Sequence, residues 1–323
     1  MSVWVRLAPL TLFIVCVLQP WQKVFAQGST ITSEQQRFSN EIINESVNTT
    51  TLFASQDTFS TGRFTKHRIG QPNTSYNTIR TPFETLLSDD AGSVKPYVQG
   101  SIGLLKVVSG VAPVNGVGED DLSTSDLISV ATGVGAYFTL SEDFKLAASI
   151  SLAYSHLRNN YDFKNEYSQN FFRPEDDLLY NWSLDLLTYT PTIRVLYQSN
   201  FGESIVQYTL GYSQIFNDSI ASSSSAITIN SATGLLWNRF AYTQPLGIEA
   251  ISAPLSLRPF FQWSNISGKA SKGLALVNLF EVGADLVMDF KEKFIWFSQI
   301  SWGGSYVTGD SFEGYHIGVG GKF

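Results

Sequence analysis

Residues 128–155 read ISVATGVGAYFTLSEDFKLAASISLAYS, and this stretch decides the fold. Ile128, Val130, Thr132, Val134, Ala136, Phe138 and Leu140 fall at every second position, with Ser129, Ala131, Gly133, Gly135, Tyr137 and Thr139 between them. Ser141-Glu142-Asp143 interrupts the run. Phe144, Leu146, Ala148, Ile150, Leu152 and Tyr154 then resume it against Lys145, Ala147, Ser149, Ser151, Ala153 and Ser155. Successive side chains of a strand point to opposite faces, so this period predicts two strands, each apolar on one face and small or polar on the other. Both exceed the five or six residues usual in soluble sheets and suit tilted strands that cross a bilayer.

The pattern continues outward. Leu274, Leu276, Phe280, Val282, Ala284, Leu286 and Met288 alternate with Glu281, Gly283, Asp285 and Asp289; Phe294, Trp296, Ser298, Ile300 and Trp302 follow after Lys291-Glu292-Lys293. Short turns are expected at Ser141, at Asn200 to Glu203 and at Lys291. Longer polar connections are expected at Ser109 to Ser125, Arg158 to Leu179, Asn217 to Ser225, Asn265 to Gly273 and Gly303 to Phe312. Short turns on one side and long loops on the other characterise outer-membrane barrels. Tyr154, Tyr180, Trp182, Trp237, Trp263, Trp296 and Trp302 stand near strand ends, where interfacial aromatic girdles are expected.

The beginning of the chain reads as an export signal. Arg6 is followed by an apolar run from Leu7 to Leu18 and by Val24-Phe25-Ala26, which predicts a cut after Ala26. The single cysteine, Cys16, lies inside that signal. Its loss would leave no disulfide, thiolate metal site or Cys nucleophile. Of 21 basic residues the signal holds Arg6 and Lys23, leaving 19 against 28 acidic ones. That balance argues against nucleic acid, whose backbone requires clustered Lys and Arg. Charged residues make up 15% of the chain, well below the usual quarter of a soluble domain. Beyond the signal, no apolar stretch approaches the 18 residues of a spanning helix. Helices and closed barrels alone satisfy every backbone group in lipid.

The expected architecture is all-β: a transmembrane antiparallel up-and-down barrel of about 12 strands, with a short N-terminal helix. Ten strands are counted from Val94 to Phe323, and two more between Leu52 and Asp89. Ten strands in all is the fallback. The chain divides into a signal (1–26), a polar segment (27–51) and the barrel (52–323). Ser33 to Val47 is the helix candidate, with Ser33 as N-cap and Phe38, Ile42, Ile43 and Val47 at helical spacing. A periplasmic β-sandwich is the soluble alternative.

Thr58 to Arg63 with its central Gly62, Lys95-Pro96-Tyr97-Val98-Gln99-Gly100, and the ending Gly318 to Phe323 resemble the translocator barrels of autotransporters, specifically the solitary outer-membrane type without a secreted passenger. The resemblance implies a fold and a location rather than a reaction, and a helix before the barrel that sits in the pore. Residues 27–51 are too few for a passenger with its own core. Tyr315, Ile317, Val319 and Phe323 resemble the last-strand signal read by the barrel assembly machinery. The expected location is the outer membrane, both termini periplasmic after cleavage, with lipid and lipopolysaccharide as neighbours.

No enzyme, cofactor or resident metal is expected. Of His67, His156 and His316, His156 lies at the height of an outer rim, but Ser155 beside it points to the opposite face. His316 is expected to line the lumen. Glu119-Asp120-Asp121 and Glu175-Asp176-Asp177 are expected as solvated acidic loops, with Ca²⁺ as the sharper alternative. Asn159-Asn160 resembles a self-cleavage pair but lies in an expected external loop. By parity, Lys95, Lys145, Asp185, Arg194, Arg258, Glu281 and Asp285 are expected to face the lumen. Three functions compete: a barrel whose pore is occluded by the N-terminal helix, a small porin-like channel, and a rim-located hydrolase.

Overall fold

The computed structural model describes residues 59–67, 72–87, 92–112, 118–164, 166–171, 180–224, 227–250, 253–268, 271, 276–294 and 297–322. The signal, the helix candidate Ser33 to Val47, Glu175-Asp176-Asp177 and Phe323 lie outside these residues. Twelve strands form: β1 (Phe59–Lys66), β2 (Thr74–Leu86), β3 (Val94–Val111), β4 (Asp121–Thr139), β5 (Phe144–Asp162) and β6 (Ser183–Phe201) come first. Then come β7 (Ser204–Ser222), β8 (Asn230–Ala250), β9 (Ala253–Gly268), β10 (Asn278–Phe294), β11 (Phe297–Gly309) and β12 (Phe312–Lys322). A short helix among the described residues, α1 (Glu166–Phe171), interrupts the β5–β6 connection.

Each strand pairs antiparallel with the next, and β1 pairs with β12, so the sheet closes on itself. Closure removes both edges, as lipid requires of a sheet. The register follows the period-two reading: Val130 stands opposite Tyr154, Thr132 opposite Leu152 and Val134 opposite Ile150. Of these, Val130, Thr132, Val134, Ile150 and Leu152 are exposed on the outer wall, as are Ile102, Ile193, Phe261, Val282 and Ile317. The alternate residues face the lumen.

Several expected loops prove to be strand. Gly303 to Phe312 belongs almost wholly to β11 and β12, which turn at Asp310-Ser311. Lys291-Glu292-Lys293 falls inside β10, in the stretch where the β10–β11 register shifts. β3, β5, β7 and β9 likewise run on into segments whose polarity suggested loops. Hydrogen-bonded hairpins continue beyond the apolar band, and there the outward side chains turn polar without ending the ladder.

The lumen wall needs small residues where large ones cross it. A Cβ at Gly211 would stand 2.2 Å from Trp237 Cζ2 and 2.4 Å from its Cε2. Gly211→Ala must therefore displace an indole, and is expected to cost about 1–3 kcal/mol, the range for overpacking. Thermal unfolding of the folded, heat-modifiable band on a gel reads that loss.

Candidate functional site: a lumen filled at one end

The inward side chains sort into two zones. At the end bearing the longer connections, one apolar cluster takes residues from nearly the whole wall. It contains Phe64, Tyr76, Leu105, Val107, Leu127, Leu157, Leu184, Leu186, Ile215, Leu235, Trp237, Ile266, Val307 and Phe312. Trp182, Ile227, Ile229 and Leu276 join it from the connections between strands. Trp182 is only 2% exposed. Wall side chains just fill an eight-stranded barrel, whereas sixteen strands leave an aqueous channel. Twelve strands lie between, so large side chains and infolded connections are needed to fill this one. Each large apolar side chain removed from water contributes about 1.5–3 kcal/mol.

Polar groups at the rim support this zone. Asp121, read from the sequence as part of a solvated acidic loop, is instead buried at the start of β4. It accepts from Tyr161 Oη at 3.1 Å, from the Lys164 amide at 2.8 Å and from Ser168 Oγ at 2.9 Å. The third donor belongs to α1, which is thereby tied down on the rim. Glu119 and Asp120 are exposed, as expected of a loop. Asn159 is buried and donates through Nδ2 to Ser123 Oγ at 3.0 Å and Ser125 Oγ at 3.1 Å. Two residues of the expected interfacial girdle, Trp182 and Trp237, pack inside the barrel, and Tyr180 is buried against Tyr161. An indole satisfies an apolar interior as well as an interface, so its sequence position does not distinguish the two. Trp302 and Tyr154 do face outward.

Beside the apolar cluster and on toward the short-turn end, the lumen is polar and holds two charge clusters. In the first, Arg194 on β6 reaches Glu84 on β2 with Nη2–Oε2 at 3.2 Å. The same Nη2 donates to Tyr97 Oη at 3.0 Å and Tyr137 Oη at 3.3 Å. Tyr137 also donates to Glu84. The Tyr97 and Tyr137 rings pack 4.8 Å apart and lie 5.8 and 5.6 Å from the guanidinium carbon. This group links β2, β3, β4 and β6 across the lumen. A Cβ at Gly135 would meet Tyr97 Cζ at 2.4 Å, so glycine leaves the ring its place.

The second cluster lies on β8 to β12. Arg258 holds Asp285, its cross-strand partner, through Nε at 3.1 Å and Nη2 at 2.8 Å. Arg239 approaches the same carboxylate at 3.6 Å and stacks 3.9 Å over the Phe260 ring. Glu281 accepts from Ser305 Oγ at 2.8 Å and pairs with His316 Nε2 at 3.0 Å. Buried charges need such partners. His316 Nδ1 has no hydrogen-bond partner, and His316 lines a small cavity together with Arg239, Phe260, Gly303 and Gly318.

Of the residues expected in the lumen, Arg194, Arg258, Glu281 and Asp285 take part in these clusters, and Lys95 and Lys145 share the inward parity near the short-turn end. Asp185 does not face inward. Leu184 and Leu186 on either side of it are buried in the apolar zone, so Asp185 lies on the outer wall opposite His156. It accepts from His156 Nδ1 at 2.7 Å and Tyr154 Oη at 2.8 Å. A charge on the outer wall is tolerated because this part of β6 lies above the apolar band. Ser155 is buried on the opposite face and donates to Ser129 Oγ at 2.8 Å. Glu84, Tyr97, Tyr137 and Arg239 were not singled out from the sequence. Their inward parity was readable, but nothing local shows that four strands bring them together.

These geometries match known proteins in fold. The transport unit of the autotransporter AIDA-I from Escherichia coli aligns with a TM-score of 0.54 at 11% identity, covering 91% of this chain and 100% of that one. The β domain of the Bordetella autotransporter Brka aligns with a TM-score of 0.49 at 10% identity, covering 83% and 100%. No curated protein matches in sequence. The family model described as the solitary outer membrane autotransporter beta-barrel domain matches residues 44–318. With twelve strands closed on themselves and that match running through most of its length, the chain belongs to the solitary outer-membrane autotransporter β-barrel family.

Proposed function

We propose that this outer-membrane barrel is a non-enzymatic, passenger-less scaffold of the envelope whose pore is permanently shut, with its longer connections outside the cell and both termini in the periplasm. The apolar cluster at the long-connection end carries the reading, because ions do not cross a dry, side-chain-filled layer. The segment 27–51 acts in this reading as a second, dispensable stopper at the periplasmic mouth. Bilayer recordings test it. The full-length protein and a version lacking residues 27–50 are both expected to be silent. Steady conductance in both would favour the porin-like reading, whose motive is the charged lower lumen. Opening on truncation alone would make the N-terminal segment the seal.

We read His156 as a non-catalytic rim residue whose described hydrogen bond goes to Asp185. Equal lipid-cleaving rates for the native protein and His156→Ala are expected; a His156-dependent rate would restore the hydrolase. Tyr315, Ile317 and Val319 are exposed along the outer face of β12. With Phe323 they are proposed as the contact read by the barrel assembly machinery. Removing Phe323 is expected to reduce the amount of folded barrel in membranes several-fold.

A further inference from the structure

Among the described residues, cations on the outer wall of the strands are few and confined to one sector. Arg63 on β1, Lys106 on β3 and Arg158 on β5 have outward parity and are exposed, whereas β6 to β9 present no outward Lys or Arg among the described residues. Lys106 stands opposite Asp126, and Asp126 opposite Arg158. With strands about 4.8 Å apart, the two cations are roughly 10 Å from each other. Neither forms an ion pair with a described carboxylate. One row toward the short-turn end, Leu104, Ile128, His156 and Asp185 follow one another in register. Asp185 holds the Nδ1 side of the His156 ring and so presents Nε2 outward.

Below this row the wall is apolar and exposed, with Ile102, Val130, Leu152 and Leu187. Above it, Thr124 and Asn160 stand opposite each other with outward parity. The sector thus changes over two rows from a face for acyl chains to cations and then to neutral hydrogen-bonding groups. Unpaired cations at the edge of a hydrocarbon layer call for an anion at the same height.

We propose that Lys106, Arg158 and His156 form a binding site for the phosphorylated headgroup of a glycolipid, the lipopolysaccharide of the outer leaflet, with its acyl chains lying along Leu104, Ile128, Val130 and Leu152. The assignment rests on the reading that the long-connection end faces outside. Lys106 and Arg158 hold phosphate as donors on long stems, His156 Nε2 adds a third group, and Thr124 and Asn160 meet sugar hydroxyls. Asp126 keeps the two cations apart and moderates the affinity.

The test titrates detergent-purified full-length protein with rough-type lipopolysaccharide and with the same material chemically dephosphorylated. Lys106→Ala with Arg158→Ala is expected to weaken binding about tenfold, the effect of losing two exposed charge contacts. Dephosphorylated material should bind the native protein as weakly as intact material binds this variant. Asp126→Asn is expected to tighten binding severalfold. All three side chains are exposed on the outer wall, and a heat-modifiable gel band checks that the barrel persists. Unchanged affinity in the double variant overturns the site. Equal competition by phosphatidylglycerol overturns the glycolipid, and weaker binding of Asp126→Asn shows a bridging cation instead. Labelling of the long connections on intact cells tests orientation separately: periplasmic loops would refute the topology while leaving detergent binding as measured.

Discussion

Replacing Trp182 and Ile229 together by Ala is expected to turn a silent barrel into one with resolvable, flickering conductance. Both side chains are buried in the apolar cluster and both come from connections, so the wall itself is not cut. Large-to-Ala changes in a packed interior typically cost about 2–5 kcal/mol each, partly as a cavity the neighbours fill incompletely. Here the cavity opens within the apolar cluster that fills the long-connection end of the lumen. Water that enters it reaches the polar zone below and completes a path for ions. The β-ladder remains intact, so the heat-modifiable band should survive at a lower melting temperature. A double variant that stays closed while losing stability would show that the remaining wall residues suffice for the seal.

Arg194→Ala is expected to be the most damaging single change in the polar zone, lowering stability by about 2–4 kcal/mol. Breaking a buried ion pair from one side costs about 3–5 kcal/mol because the other charge is stranded. Partial solvation of Glu84, whose side chain is 34% exposed, reduces that figure. Loss of the guanidinium also removes donors to Tyr97 and Tyr137 and its packing on their rings. Glu84→Gln in the Arg194→Ala background should recover a measurable part of the loss, since it removes the stranded charge. Additive losses from the two changes, read as melting of the folded band, would show that the pair contributes nothing as a unit.

The strand pattern was legible because lipid and lumen differ so sharply between β4 and β5, where Val130, Val134, Ile150 and Leu152 alternate with small residues. The filled end was not read, although it left a trace. Leu104-Leu105, Leu127-Ile128, Leu186-Leu187, Ile215-Phe216 and Leu235-Leu236 are adjacent apolar pairs that break the period. A pair of this kind in a long barrel strand marks a height at which both faces are dry. Asp185 departs from the lumenal parity expected of it: Leu184 and Leu186 are the buried residues of that stretch, and their burial puts Asp185 on the outer wall. The polar clusters depend on cross-lumen geometry, such as Arg194 meeting Glu84 across 110 positions, and no local pattern encodes that.

The eight-residue β1 is the shortest strand of the wall, and its partner is the last strand of the chain. Phe59 meets Val319, so the ring closes only after nearly the whole sequence exists. Such a distant pairing is slow and carries a large loop-closure entropy. A chain stalled during synthesis anywhere before β12 would hold two unmatched edges and could not be accepted into lipid. Admission to the membrane is thereby coupled by topology to β12: until that strand is present, β1 lacks its closing partner and the sheet keeps two open edges.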